Sequence, residues 1–334
     1  MDFFLEGIGP SPCVGDCSNI RRQMKQNNKK VPIIIDTDPG HDDALAIMLL
    51  EYSEMVDIKA VTTVAGNGTI QNVTDNARYV LGLLGSDAPL YSGSSKPLKR
   101  ALVRAVVHGE NGLDGAPVER GGKLTGDAVR RIISIIRENP GEISILAIGP
   151  ETNVAQAFLL DPELPRLVKR MVIMGGSIAA PGNESRVAEF NIFVDPEAAE
   201  IVFNAPVEKV LVPLDVCNDI ILTKSDFNAL KGTPLYEPVS KMMEKYISGI
   251  SMNEKVKGAL VYDPLAAYYF VDPNAYILEP MDVRIETKGE FTRGMTVAER
   301  RIWGMKDVNV LVATKVDGGR FKKDFFRILK GKER

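Results

Sequence analysis

Val31-Pro32-Ile33-Ile34-Ile35-Asp36-Thr37-Asp38-Pro39-Gly40-His41-Asp42-Asp43 is the stretch that decides the fold. The run Val31–Ile35 is short, apolar and β-branched, with Pro39-Gly40 beyond it, so it reads as a buried strand. Ala44-Leu45-Ala46-Ile47-Met48-Leu49-Leu50 reads as the helix that follows. Asp36, Asp38, Asp42 and Asp43 therefore lie at the carboxyl end of a strand and the start of a helix, where open α/β sheets bind ligands. Like charges this close repel strongly unless a positive partner joins them. A hard divalent cation with oxygen ligands is the simplest such partner. A plainer reading has Asp42 and Asp43 capping a helix and Asp36 and Asp38 shaping a turn. It suits two acids better than four.

Working outward, Val56–Val64 reads as a strand and Ile70 to Leu84 as a helix. Residues 86–123 read as glycine-rich loop, Ala128 to Glu138 as helix, and Ile143–Ile148 as strand. Helix 153–160, strand 170–174, helix 196–203 and strand 209–214, ending at Asp215, continue the alternation. Residues 225–271 read as helical, and Tyr276 to Val316 as shorter strands. Alternation of this kind predicts an α/β fold with an open, mostly parallel, doubly wound (Rossmann-like) sheet flanked by helices. The near-continuous apolar strands agree with burial on both faces.

The chain has 334 residues and a net charge of −3. That charge gives no global attraction to nucleic acid or to an anionic membrane, and no apolar run approaches the length of a membrane span. Residues 1–30 lack helical or strand period and read as a flexible N-terminal extension. Their basic residues come last, the reverse of a signal peptide. Residues 31–334 read as a single catalytic domain. Cys13, Cys17 and Cys217 give neither a disulfide framework nor zinc spacing, so reduced thiols and a cytoplasmic location are expected.

Several strands end in polar or small residues that this fold would gather along one edge. They are Asn67, the run Gly149-Pro150-Glu151-Thr152-Asn153, Met174-Gly175-Gly176 and Tyr262-Asp263-Pro264, with Asn183, Glu189, Asn191 and Asp195 in the segment between. Each has an ordinary explanation alone. Asn67-Gly68 is a common turn, Thr152 could cap a helix, Asp195 and Asp263 precede prolines as N-caps do, and Met174 could be core. Their shared placement beside the acids points to a site.

Asp36-Thr37-Asp38-Pro39-Gly40-His41-Asp42-Asp43-Ala44 resembles the N-terminal signature of the nucleoside hydrolase family, the inosine–uridine-preferring type and its pyrimidine-specific relatives. The likeness continues through Val64–Thr69, Gly149–Ala155, Met174–Gly176, Ala188–Ala199 and Asp263-Pro264, and covers about residues 31–316. It implies a calcium-dependent N-glycosidase that turns a ribonucleoside into ribose and free base. In that likeness Asp38, Asp43 and Asp263 are calcium ligands, with the backbone carbonyl of Thr152. Asp42 is the general base, taking a proton from a calcium-bound water. Asn67, Asn183, Glu189 and Asn191 hold the ribose hydroxyls, Met174 lies against the sugar, and Asp36 supports the ligands from behind. Water arriving opposite the base predicts inversion at the anomeric carbon.

The departing base leaves better once protonated. Many family members carry a His immediately before the last metal-binding Asp, where this chain has Tyr262, and a phenol is a poor acid at neutral pH. His108 lies in Val107-His108-Gly109-Glu110-Asn111-Gly112, which resembles a loop of the pyrimidine-preferring members. Tyr262 and His108 are thus the candidates at the base. As a plain alternative, His108 is a surface-loop histidine and His41 an ion-paired turn residue. The glycine-rich region 108–122 could form a flap over the base. Uridine and cytidine are the expected substrates, inosine also being admitted, and the family suggests a homo-oligomer, a tetramer or dimer. Two other classes fit less well. A nucleoside- or ribose-binding protein without turnover, or a hydrolase of a modified nucleoside, would explain Tyr262. An Asp-nucleophile phosphatase would use Asp36 and Asp38 but leaves Asn183, Glu189 and Asn191 without a task.

Overall fold

The computed structural model describes residues 30–105, 107–253, 256–301 and 307–331. The expected N-terminal extension, with Cys13 and Cys17, lies outside them apart from Lys30. The first half alternates strictly: β1 Val31–Thr37, α1 His41–Tyr52, β2 Val56–Thr63, α2 Ile70–Leu84, β3 Leu90–Ser92, α3 Ala128–Glu138, β4 Ser144–Ala147, α4 Thr152–Leu160 and β5 Arg170–Met174. The second half brings α5 Phe190–Val194, α6 Pro196–Asn204, β6 Lys209–Val212, α7 Leu214–Cys217, β7 Ile221–Leu222, α8 Tyr236–Asn253, β8 Ala259–Leu260 and α9 Tyr262–Tyr268. It closes with β9 Tyr276–Ile285, β10 Thr296–Glu299, β11 Val310–Val316 and α10 Gly318–Leu329.

Nine strands form one sheet in the order β10-β9-β11-β6-β5-β4-β1-β2-β3. Strands β1 to β6 and β11 run parallel, and β9 is antiparallel to both its neighbours. From β1 the chain moves outward through β2 and β3, then returns to place β4 on the other side of β1. The strand order reverses between β1 and β4, and ligands bind in the crevice such a switch opens. The carboxyl ends of β1 and β4 carry Asp36, Asp38 and Thr152.

Strand β1 is apolar because it is covered on both faces. Ile33 and Ile35 belong to one core layer and Ile34 to the other. Helix α1 is buried on all sides from Ala44 to Leu50, which explains why its apolar run shows no amphipathic period. Helix α9 packs against it. That contact brings Asp263, in the first turn of α9, to the acids that open α1.

The structure also departs from the expected elements. The strand read as 209–214 ends at Val212, and Asp215 lies in the short helix α7. Proline at 213 stops the ladder. The region 225–271 is interrupted by β8, which pairs with β7 as a separate two-stranded sheet. Strand β9 spans ten residues, not a short strand. Its Pro280 and exposed residues disguise it, but it pairs antiparallel along β11. Asp263 is not an N-cap, since Val261 holds that position. Asp195 does cap α6, accepting the Ala198 N–H at 3.1 Å.

Candidate active site

Carboxylate oxygens of Asp42, Asp43 and Asp263 lie within 4.8 Å of one another, and all three residues are buried. Asp43 is held most firmly. Its Oδ1 accepts from Thr37 Oγ1 at 2.5 Å and from the Asp38 N–H at 3.2 Å. Its Oδ2 accepts from the Gly40 N–H at 2.9 Å and from Asn67 Nδ2 at 3.2 Å. The Gly40 bond is a capping contact, so part of the plainer reading of this turn holds for Asp43. Asp42 accepts the backbone N–H of Asp263.

Asp38 stands outside that trio. Its Oδ2 accepts the Asn67 N–H at 2.6 Å, while its buried Oδ1 has no hydrogen-bond partner among the described residues. The carboxylate fits between two glycines. A Cβ on Gly66 would come within 2.1 Å of Oδ2 and one on Gly149 within 2.8 Å of Oδ1. Only residues without side chains let the β2 and β4 loops close on Asp38.

Burial pushes Asp38, Asp42 and Asp263 well above the usual carboxylate range, and repulsion from neighbouring aspartates adds to it. Asp43 is raised by burial too, against the opposing pull of its donors. Burial and mutual repulsion thus both disfavour the charged form of these acids, and a nearby cation would favour it. A hard divalent ion fits this donor set: all ligand atoms are oxygens, one is unpartnered, and glycines keep the approach open. The Asp cluster could hold a metal.

Asp36 lies behind the cluster. Its Oδ1 accepts from Thr62 Oγ1 at 2.5 Å and Asn153 Nδ2 at 2.8 Å, and burial lifts it to about 7. Thr152 opens α4, and its hydroxyl donates to Asp195 Oδ2 at 2.7 Å. The same oxygen accepts the Leu98 N–H at 2.8 Å, so Asp195 ties three segments to the switch point. Glu151, unassigned by the sequence reading, is wholly buried, and neither carboxylate oxygen has a partner among the described residues. Burial pushes its carboxyl well above the usual range, and the charges of Glu189, Asp195 and Asp36 add to the effect.

A cavity of 250 Å³ opens over the acids. Asp42, Asn67, Met174, Asn183, Glu189 and Asn191 line it, together with His108, Tyr246, Ile250 and Tyr262. Glu189 caps α5 and accepts N–H groups of Gly176, Asn191 and Ile192, yet burial still lifts it to about 7. Asn183 Oδ1 accepts the Phe190 N–H at 2.9 Å, which leaves its amide NH2 for a ligand. Asn191 Nδ2 donates to the Ile148 and Met174 carbonyls, which leaves its Oδ1. Among the described residues no Lys or Arg lines this cavity, whereas Asp42, Glu184, Glu189 and Asp263 do.

His108 is buried rather than on the surface, so the plain surface-loop reading is overturned. Its Nε2 lies 3.8 Å from Asp42 Oδ1. Its Nδ1 is 3.1 Å from His41 Nδ1 and accepts the His41 backbone N–H at 3.3 Å. His41 Nε2 donates to the Asp114 carbonyl at 2.9 Å. The two imidazoles and the Tyr246 ring stack on one another with centroids 5.0–5.4 Å apart. Burial lowers His41 to about 4 and His108 well below its ordinary value, His41 adding to the effect on His108. His41 thus stacks against His108, with the Asp114 carboxylate acting on it as a charged neighbour.

Two contributors were missed in the sequence. Tyr246 was hidden in a helix that reads as core packing; with Ile250 it presents an i, i+4 pair to the cavity. Asn76 donates to the Pro39 carbonyl at 2.8 Å and the Asn111 carbonyl at 3.0 Å, joining the acid turn to the His108 loop. No sequence signal marks it, since its partners are backbone groups distant along the chain.

The chain is similar to several known proteins. Residues 33–323 match the family model described as inosine-uridine preferring nucleoside hydrolase. The chain is 38% identical over 295 residues to the pyrimidine-specific ribonucleoside hydrolase RihA of Citrobacter koseri, covering 86% of this chain and 94% of that protein. It is 38% identical over 299 residues to the protein of the same name from Salmonella gallinarum, covering 87% and 96%. Among solved structures, a plant nucleoside hydrolase superposes with a TM-score of 0.84 at 29% identity, over 90% of this chain and 99% of that one. A purine-preferring ribonucleoside hydrolase from Gardnerella vaginalis gives 0.84 at 26%, over 90% and 98%.

Proposed function

Because the chain belongs to the inosine-uridine preferring nucleoside hydrolase family, and is thereby an N-glycosyl hydrolase of ribonucleosides, we propose that it cleaves pyrimidine ribonucleosides, uridine foremost, with calcium as its metal. The observation that carries the reading is one cavity lined by the aspartate trio's Asp42 and Asp263, the amides Asn67, Asn183 and Asn191, and the His108–Tyr246 stack. Two curated relatives named for pyrimidine specificity support the substrate class. The acids at the cavity and the lack of a lining cation favour an uncharged nucleoside over a nucleotide.

Asp38, Asp43, Asp263 and the Thr152 carbonyl would hold the ion. Bound there, an ion would offset carboxylate repulsion and supply Lewis-acid activation of a water. Asp42 accepts the proton from the attacking water. Asn67, Asn183, Glu189 and Asn191 fix the ribose, Glu189 as an acceptor already aimed by three amides. The carboxylates around the ring stabilise the positive charge that grows on it as the base departs. His108, which becomes a strong acid once protonated because burial lowers its pKa, is the group that delivers a proton to the base, and Tyr262 lines the same cavity. Ribose release from uridine, cytidine and inosine tests the reading. Faster turnover of inosine than of both pyrimidine nucleosides would overturn the preference.

Replacing His108→Ala should reduce kcat for uridine about 100-fold, in the range of one general acid. The riboside of 4-nitrophenol, whose leaving group needs no proton, should lose less than about threefold. Parallel turnover of both substrates measures this. Equal losses would move the acid elsewhere.

The buried carboxyls also set a pH dependence. Asp36 and Glu189 sit near 7 when folded against 3.8 and 4.5 unfolded. The folded state thus binds more protons across that window, and stability falls as the pH rises through it. His41 works the other way between about 4 and 6.5, so the interval above 6.5 reports the carboxyls. The metal-free protein should melt at a lower temperature at pH 8 than at pH 6.5, and calcium at pH 8 should restore the loss. Calorimetry at the two pH values decides it; a rise in melting temperature from pH 6.5 to 8 without metal contradicts the account.

A further inference from the structure

We infer that Asp215, which does not line the substrate cavity, is a positioning residue that fixes the loop carrying Asn183 and Glu184 and so sets the affinity for the sugar. The inference rests on the function proposed above. The loop leaves the end of β5 and runs to Glu189. Its root is tied to the neighbouring strand, with the Gly175 N–H on the Val212 carbonyl and the Leu214 N–H on the Gly176 carbonyl. Beyond that root the backbone has left the sheet and needs other acceptors for its amides.

Asp215 supplies them. Its Oδ2 accepts the Ile178 N–H at 2.8 Å, and its Oδ1 accepts Ala179 at 2.7 Å and Ala180 at 3.0 Å. Successive amides converging on one carboxylate form a rigid anion nest, and bonds to a charged acceptor are stronger than neutral ones. Ser177 Oγ tightens the same turn by donating to the Ala180 carbonyl. Pro181 and Gly182 follow, then Asn183 and Glu184 at the substrate cavity. The far end is anchored where Asn183 Oδ1 accepts the Phe190 N–H. Asn183 is therefore held between two clamps, and Asp215 is the one the sugar never touches. Asp215 lines a different cavity, of 440 Å³, beside β9 and β11. It is half-buried at the opening of α7 and caps nothing along the sheet.

A carboxylate spent on three loop amides organises the ground-state site rather than the chemistry. Its loss should weaken substrate binding more than turnover. The experiment compares Asp215→Ala and Asp215→Asn with the unaltered protein, using calcium-loaded enzyme and uridine. KM should rise about tenfold or more for Ala, with kcat within about threefold, because up to three charge-assisted bonds vanish. The Asn variant should lie between, since its carbonyl still accepts Ala179 and Ala180. Hydrogen exchange at Ile178–Ala180 should speed up in both while core strands stay protected. Unchanged KM alongside faster loop exchange overturns the inference, as does a fall in kcat matching the rise in KM. Loss of the fold in both variants assigns Asp215 to stability and overturns it too. If the unaltered protein releases no ribose from any nucleoside, the proposed function itself fails, a result distinct from the others.

Discussion

Asp42→Ala should lower uridine turnover by about 10³- to 10⁴-fold, the span of a lost general base, while the protein stays folded. Asp42 is 4% exposed and lies at the rim of the cavity, 3.8 Å from His108 and bonded by the Asp263 N–H. With Asp263 it lines the substrate cavity, whereas Asp43 is held by donors from the turn. Removing it also removes a like charge from Asp43 and Asp263, so thermal stability should hold or rise. Uridine affinity should change far less than kcat, because the ribose amides remain. Steady-state kinetics with a melting curve of the variant separates these effects. Near-normal turnover would show that another group takes the proton.

Metal removal should have a comparable effect. Stripping the protein with a calcium chelator should bring ribose release below about 1% of its starting rate, because the water would lose its activation and the carboxylates would keep their protons. Added calcium should restore it. Asp38 Oδ1, buried and without a hydrogen-bond partner among the described residues, and the Asp263 carboxylate supply oxygens that a calcium ion would engage. Magnesium should restore little, since it demands tighter octahedral geometry and gives up its waters reluctantly. Full activity in chelator would contradict the metal's role.

The fold was legible where the chain is most regular. Helices 70–84 and 128–138 and strand 170–174 have the bounds that periodicity indicates. The acid turn stood out because four carboxylates at a strand end need a common cause, and the doubly wound order then set Thr152 and Asn67 beside it. Strand β9 was harder to see because much of it is solvent-facing and Pro280 interrupts its pattern. The short helix Phe190–Val194 is too brief for a period to show; its start is fixed by the Glu189 cap. The base end of the cavity was least visible. His108 comes from a long loop and Tyr246 from a helix whose aromatic ring looks like ordinary core, and only the packing of α8 over the loop brings them together. Asp215 and Asn76 were invisible as positioning groups because they act on backbone amides and carbonyls, which leave no trace in residue type.

The most direct test of the central claim is proton NMR of uridine hydrolysis by the calcium-loaded protein, read before the sugar anomers equilibrate. Water delivered by Asp42 to the face opposite the base predicts free uracil and α-ribose as the first sugar signal. Accumulation of β-ribose, or a spectrum in which uridine persists unchanged, would contradict it.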